Sequence, residues 1–121
     1  MNRRDRGSEG EDIALRYLRD AGYRPLERNV RTRGGEIDLV MEHGSTIVFV
    51  EVRSRASARF GSALESVDRR KQRRLARLAE SYLARRRLDG RRARFDVVAV
   101  EWQDGAPKVK HVENAFEVEG W

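Results

Sequence analysis

The sequence predicts an α/β domain, a mixed sheet of about five strands flanked by helices. Three observations carry that expectation. Gly34–Met41 and Ile47–Arg53 place apolar and β-branched residues on both sides of His43-Gly44-Ser45, the pattern of a β-hairpin. Two stretches, from about Ser8 to Ala21 and from about Ser66 to Leu88, repeat apolar residues at i, i+3 and i+4, as amphipathic helices do. The run Phe95, Val97, Val98, Ala99, Val100 suits a strand buried on both faces.

In chain order, residues 1–7 are expected as a disordered basic arm before the first helix, whose inward stripe is Ile13, Ala14, Tyr17, Leu18 and Ala21. Ser8 and Glu11 match a capping box, with Ser8 as N-cap. Gly22 suits the C′ position, and Tyr23 to Val30 reads as a first strand that starts irregularly because Pro25 lacks a donor. Arg31 to Gly35 is expected as a flexible basic turn, and Ser54 to Ser62 as a polar loop beside the hairpin. The long helix buries Leu75, Leu78, Ala79, Tyr82 and Leu83, with Asp89-Gly90 at its end. Lys71 and Gln72 lie one turn before that stripe, so Lys71 either snorkels past the core or meets a partner. Arg94–Trp102 is the doubly buried strand; Asp96 within it suits a carboxylate bonded to backbone or to an arginine. Asp104 to Pro107 is a turn and Lys108–Val112 a last strand, on which a lone His111 is usually structural.

At 121 residues the chain is one domain, 1–121. It has no cysteine, which excludes disulfides, thiolate zinc sites and cysteine nucleophiles. The longest apolar run, Ile47 to Val50, is far too short to span a bilayer, so a soluble cytoplasmic protein without a membrane partner is expected. Lys and Arg number 26 against 20 Asp and Glu, a net +6. Most of the basic residues are arginine, which grips phosphate in two-pronged fashion. Arg69, Arg70, Arg73 and Arg74 on the long helix, with Arg33 and Arg55 in the turns, are the candidate nucleic-acid contacts; a solvated helix face is the plainer reading.

The hairpin register can be derived. Laying Ile37, Leu39 and Met41 on the same face as Val52, Val50 and Val48 pairs Leu39 with Val50, because a slip of one residue would send one row to the wrong side. On the other face Glu36 then lies opposite Arg53, and Asp38 opposite Glu51. Facing carboxylates oppose folding by roughly 0.2 to 1 kcal/mol. Val40, Ile47 and Phe49 cover the same face, so relief by exposure is limited, and a hard divalent ion on the carboxylate oxygens is the strongest remedy.

Asp38 followed by Glu51-Val52-Arg53 resembles the Asp and Glu-x-Lys of the restriction-endonuclease-like (PD-(D/E)xK) nuclease superfamily, with Arg53 where that pattern has lysine. Within it, the chain resembles the small bacterial YraN-like family. The matching residues are Gly10-Glu11 with Ala14, Tyr17 and Leu18, Gly22-Tyr23, Arg28-Asn29, Gly35-Glu36-Ile37-Asp38-Leu39, Phe49-Val50-Glu51-Val52, Lys71, Arg94-Phe95-Asp96 and Asn114-Ala115-Phe116.

The resemblance implies a three-layer α/β/α fold and Mg²⁺- or Mn²⁺-dependent hydrolysis of DNA, similar to archaeal Holliday-junction resolvases. Asp38, Glu51 and the Val52 carbonyl would hold the ion, and Glu11 would join them to orient the water or hold a second ion, beside its capping-box alternative. Arg53 cannot lose its proton to act as a base; it stabilises developing charge or is neutralised by Glu36, and Lys71 would supply what is missing. Resolvases work as dimers, and Phe116 and Trp121 are the apolar marks of an interface. The alternative is a nucleic-acid-binding module that keeps the fold without turnover; a third class is a scaffold for an acidic protein partner.

Overall fold

The computed structural model of the chain describes residues 3–55, 64–118 and 121. Helix α1 (Arg3–Asp20) is followed by β1 (Arg24–Thr32), β2 (Gly35–His43), β3 (Thr46–Arg55), helix α2 (Arg69–Arg85), β4 (Arg92–Gln103) and β5 (Ala106–Phe116). The strands form one sheet in the order β1-β2-β3-β4-β5. Only β3 and β4 run parallel, joined by the crossover that contains α2; the other neighbours are antiparallel.

Both faces of the sheet are covered, which makes three layers. On one face Ala14 and Leu18 of α1 pack on Leu39, Met41, Val48, Val50, Val52, Val98 and Val100. On the other, Leu75, Leu78, Ala79, Tyr82 and Leu83 of α2 meet Val40, Ile47, Phe49, Phe95 and Val97. The α2 stripe is the one its 3.6-residue period requires. Asp68 caps α2, its side chain accepting from Lys71 N at 2.9 Å. Gln72 donates to Val67 O at 2.9 Å, which ties it to the same end of the helix and away from the acidic residues.

Four local expectations are corrected. Helix α1 begins at Arg3, so no disordered arm extends to residue 7 and Ser8 is interior to the helix rather than its N-cap. Its buried line is Gly10, Ala14 and Leu18, with Tyr17 and Ala21 exposed. A Cβ on Gly10 would lie 1.8 Å from Ser54 Oγ, so the bare backbone of α1 packs directly on the end of the central strand β3 there. Arg31 and Thr32 belong to β1 and Gly35 to β2, leaving a tight Arg33-Gly34 turn in place of a flexible segment. Finally, α2 closes before Asp89-Gly90: Arg87, at φ 57°, is its C′ residue, with Leu88 N donating to Leu83 O at 2.7 Å. Gly22, at φ 93°, does the same for α1, with Tyr23 N donating to Leu18 O at 2.9 Å. The polar loop expected to Ser62 falls largely outside the described residues; Ser54 and Arg55 belong to β3.

The register of the hairpin is Leu39–Val50 and Met41–Val48, as derived. Ile37, however, leaves that row and packs with Val30 among the α2-side residues. At the same level of the neighbouring strand β1, Asn29 takes a left-handed φ of 54° between the Arg28–Leu39 and Val30–Ile37 pairs.

The distal end of the sheet is closed by aromatic and polar contacts. Phe116 stacks on Phe95 at 4.8 Å and Trp121 on Phe95 at 5.4 Å, so both rings touch this chain's own core, Trp121 while staying 41 % exposed. Asp96, fully buried, accepts from Arg94 Nε at 3.0 Å and from Asn114 N at 3.0 Å, and lies 2.7 Å from His111 Nε2. That is the structural role expected of Asp96 and His111. No helix of the described residues is long and apolar enough to cross a membrane.

Candidate active site

The hydrogen-bonded ladder between β2 and β3 ends at Leu39–Val50, one pair short of the acids. Beyond it the strands part, and Asp38 Oδ2 accepts from Val52 N at 2.8 Å in place of a backbone carbonyl. The opening becomes a cleft of about 680 Å³, lined by Glu11 of α1, Glu36 and Asp38 of β2, Glu51 and Arg53 of β3, and Lys71 and Arg74 of α2. Gly35 makes room for the last of these. A Cβ there would lie 3.3 Å from Arg74 Cδ, and its φ of 136° is one that side chains rarely adopt.

Asp38 and Glu51 are neighbours, as the register requires. Burial, then the charge of Glu51 and a hydrogen bond with it, push the Asp38 carboxyl up to about 8, against the pull of the Val52 N–H. Glu51 is only 5 % exposed. Its Oε1 faces two cations, Lys71 Nζ at 3.6 Å and Arg53 Nη2 at 4.0 Å, while Oε2 is buried without a hydrogen-bond partner. Lys71 therefore meets a partner rather than snorkelling past the core.

Glu11 lies on the same cleft. Burial and the charge of Asp38 raise its carboxyl, although Arg28 acts in the opposite sense at 3.5 Å. Glu36 is where the derived pairing fails. It pairs with Arg31 at 3.1 Å and not with Arg53, because the strands have parted before reaching that level. One carboxylate oxygen each from Glu11, Glu36 and Asp38 lie within 4.8 Å of one another. The sequence held a signal for Glu36: it stands two residues from Asp38 on one strand, hence on the same face.

The expected arginines divide. Arg74 lines the cleft, while Arg69 and Arg73 line a separate groove on the other side of α2, with Arg77, Glu80 and Glu117. Arg70 and Arg33 are exposed. The side chain of Arg55 lies outside the described residues.

Fold and cleft together define a class: an α/β protein whose mixed sheet splays at one end into a carboxylate-rich, cation-flanked cleft. A model of the Uncharacterised protein family UPF0102 matches residues 10–100. A UPF0102 protein of Moorella thermoacetica is 56% identical over 113 residues, 93% of each chain. One of Persephonella marina is 44% identical over 114 residues, 94% of this chain and 95% of its own. The UPF0102 protein STH1475 of Symbiobacterium thermophilum is 49% identical over 111 residues, 91% and 94% respectively. The chain belongs to the UPF0102 family, the YraN-like family that its motifs resemble.

Proposed function

We propose that this chain is a divalent-cation-dependent nuclease of the restriction-endonuclease-like class, hydrolysing DNA phosphodiester bonds at branched or single-strand-containing structures. The observation that carries the reading is the Asp38–Glu51 pair in an open cleft, with Glu51 Oε2 buried and unpartnered. An unsatisfied buried acceptor costs about 1–3 kcal/mol, and a cation on that oxygen would remove the cost. The donors are carboxylates, hard oxygen ligands that suit Mg²⁺ or Mn²⁺.

Asp38, Glu51 and the Val52 carbonyl would hold the ion. When bound, such an ion polarises a phosphate and acidifies a coordinated water. The chain's own residues do the rest. Lys71 and Arg74, both on α2, bring cations to the cleft for the phosphates beside the cut. Arg53 stays protonated and stabilises charge instead of accepting a proton. Arg33, Arg69, Arg70 and Arg73 extend the positive surface beyond the cleft.

Purified chain with Mg²⁺ or Mn²⁺ is expected to nick branched DNA. Asp38→Ala and Glu51→Ala are expected to lose cutting while retaining binding; equal cutting by either variant would falsify the assignment. Two observations favour a second reading, a binding module without turnover: Arg53 stands where the pattern has lysine, and Lys71 Nζ already lies 3.6 Å from Glu51 Oε1. That reading predicts salt-dependent, cation-independent DNA binding and no product after long incubation.

A further inference from the structure

Helix α2 carries arginines on both flanks, and only one flank faces the cleft. On the other, Arg69, Arg73 and Arg77 recur every fourth residue, so they form one row with about 6 Å between neighbours along the helix axis. All three are exposed, and none has an ion-pair partner among the described residues. They line a groove of about 610 Å³ together with Glu117 and Val118. Glu117 and Val118 also line a second hollow, of about 370 Å³, to which Arg92 and Trp121 belong. The two hollows are therefore adjacent and make one surface.

Trp121 gives this surface a chemistry that the cleft lacks. Its indole lies 10° from parallel to the Phe95 ring at 5.4 Å, yet the residue is 41 % exposed. A ring seated on the core by one face and wet elsewhere is open to a second flat partner. The acids nearest to it are engaged by the chain itself: Glu117 accepts from Asn114 Nδ2 at 3.3 Å, and Glu113 from the Tyr23 hydroxyl at 3.2 Å. Arg69, Arg73, Arg77 and Arg92 thus stand against Glu80 alone among the acids of the two hollows that have no such bond. A row of cations that leads to an exposed flat ring matches phosphates followed by a base. Single-stranded nucleic acid offers both at once, whereas the bases of a duplex are stacked on one another and out of reach. An acidic peptide would match the arginines and leave the indole unused.

We propose that the far flank of α2 and Trp121 form a track for single-stranded nucleic acid, with Arg69, Arg73, Arg77 and Arg92 on its phosphates and Trp121 stacked on a base. The inference rests on the nuclease reading for its substrate class. Cleft and track lie on opposite flanks of one helix, so the substrate they specify together is a duplex that opens into a single strand. Binding on the track itself needs no cation.

The test is binding by the full chain in chelator-containing buffer, with an oligothymidylate of about 12 nucleotides, within the usual site size for single strands, a blunt duplex, and the same duplex with a single-stranded tail. Wild type is expected to hold the tailed duplex more tightly than the blunt one. Trp121→Ala should weaken oligothymidylate binding by about 5- to 150-fold, the span of one base stacked on an aromatic ring, and leave blunt-duplex binding unchanged. Arg77→Ala with Arg92→Ala should lower the slope of log affinity against log salt by about 1.4 for the oligothymidylate. Binding should quench indole emission in wild type but not in Trp121→Phe, whose remaining indole, Trp102, packs against the α1-side core. The phenylalanine variant keeps a ring on Phe95, so the quenching test stands even where Trp121→Ala lowers the urea midpoint.

Oligothymidylate affinity unchanged in a folded Trp121→Ala chain, or quenching retained in Trp121→Phe, overturns the track; if branched DNA is still cut with Mg²⁺, the nuclease reading stands. Single-strand affinity that depends on Trp121 in a chain that cuts nothing upholds the track and removes the nuclease reading. An oligoglutamate of equal charge that binds as tightly as the oligothymidylate also overturns the track, since the surface then reads charge alone.

Discussion

Burial and the adjacent Glu51 carboxylate hold the Asp38 carboxyl at about 8, far above its ordinary value of 3.8. The folded chain therefore keeps a proton on Asp38 that the unfolded chain has released over the interval from about pH 4 to pH 8. This contribution to stability is fully present below the unfolded value and is lost as pH rises through the folded one. In metal-free buffer, urea midpoints are expected to fall between pH 5 and pH 9, and Asp38→Asn should flatten that slope. An unchanged slope in the variant would mean that Asp38 is ordinary. Asp96 shows the opposite outcome for a buried acid. Burial pushes it up, but His111, Arg94 and the Asn114 N–H more than offset this and leave it below 3.8. Both acids stand between apolar strand residues in the sequence; only their neighbours separate the acid that is raised from the one that is lowered.

At the scale of elements, the site depends on how closely α1 lies against β3. Gly10 sets that distance, and Glu11 is the next residue. Gly10→Ala would drive a methyl group onto Ser54 Oγ at 1.8 Å and onto Ser54 Cβ at 3.0 Å. An overpacked contact of this kind costs typically about 1–3 kcal/mol, and the displaced helix would carry Glu11 away from Asp38. The expected result is a lower urea midpoint and weaker Mn²⁺ binding, both restored in large part by adding Ser54→Gly. Failure of the second change to restore either would place the fault elsewhere in α1. The hairpin supplies the complementary half of the site. Its ladder ends at Leu39–Val50, and the frayed end releases Asp38 to bond Val52 N while exposing the acids to the cleft. Alternation along the two strands made the Asp38–Glu51 pair legible from sequence. It did not make the face of Ile37 or the partner of Glu36 legible, because the left-handed residue Asn29 and the parting of the strands beyond Leu39–Val50 are local events that strand periodicity does not register.

Over the whole molecule, a net charge of +6 is carried by arginines on and around α2. Arg69, Arg70, Arg73 and Arg74 have no ion-pair partner among the described residues. Arginines such as Arg24, Arg86 and Arg91 are instead paired with Glu42 and Glu27 and so are spent on the fold. If the first group meets the DNA backbone, each replacement by alanine should reduce the slope of log affinity against log salt by about 1. Arg70→Ala with Arg73→Ala should therefore reduce it by about 2 without changing Mn²⁺ affinity, whereas Arg86→Ala should leave the slope unchanged. Equal slopes in all three proteins would remove α2 from the interface. Charge composition pointed to an anionic partner, but it could not sort free arginines from paired ones, since pairing is made between residues such as Glu27 and Arg86 that are far apart in the chain.

Determined by the sequence alone were the family, the mixed α/β architecture, the buried stripe of α2 and the opposition of Asp38 to Glu51. All of these follow from patterns that repeat over a few residues and from the need of one strand pair to hide its apolar face. The tertiary structure alone decided that Glu11 and Glu36 converge on Asp38, that Lys71 reaches Glu51, and that Arg53 does not pair with Glu36. Those contacts are set by where two helices settle on opposite faces of the sheet and by where its central ladder comes apart. Helix packing and strand divergence are balances struck over the whole core, and no local spacing encodes them.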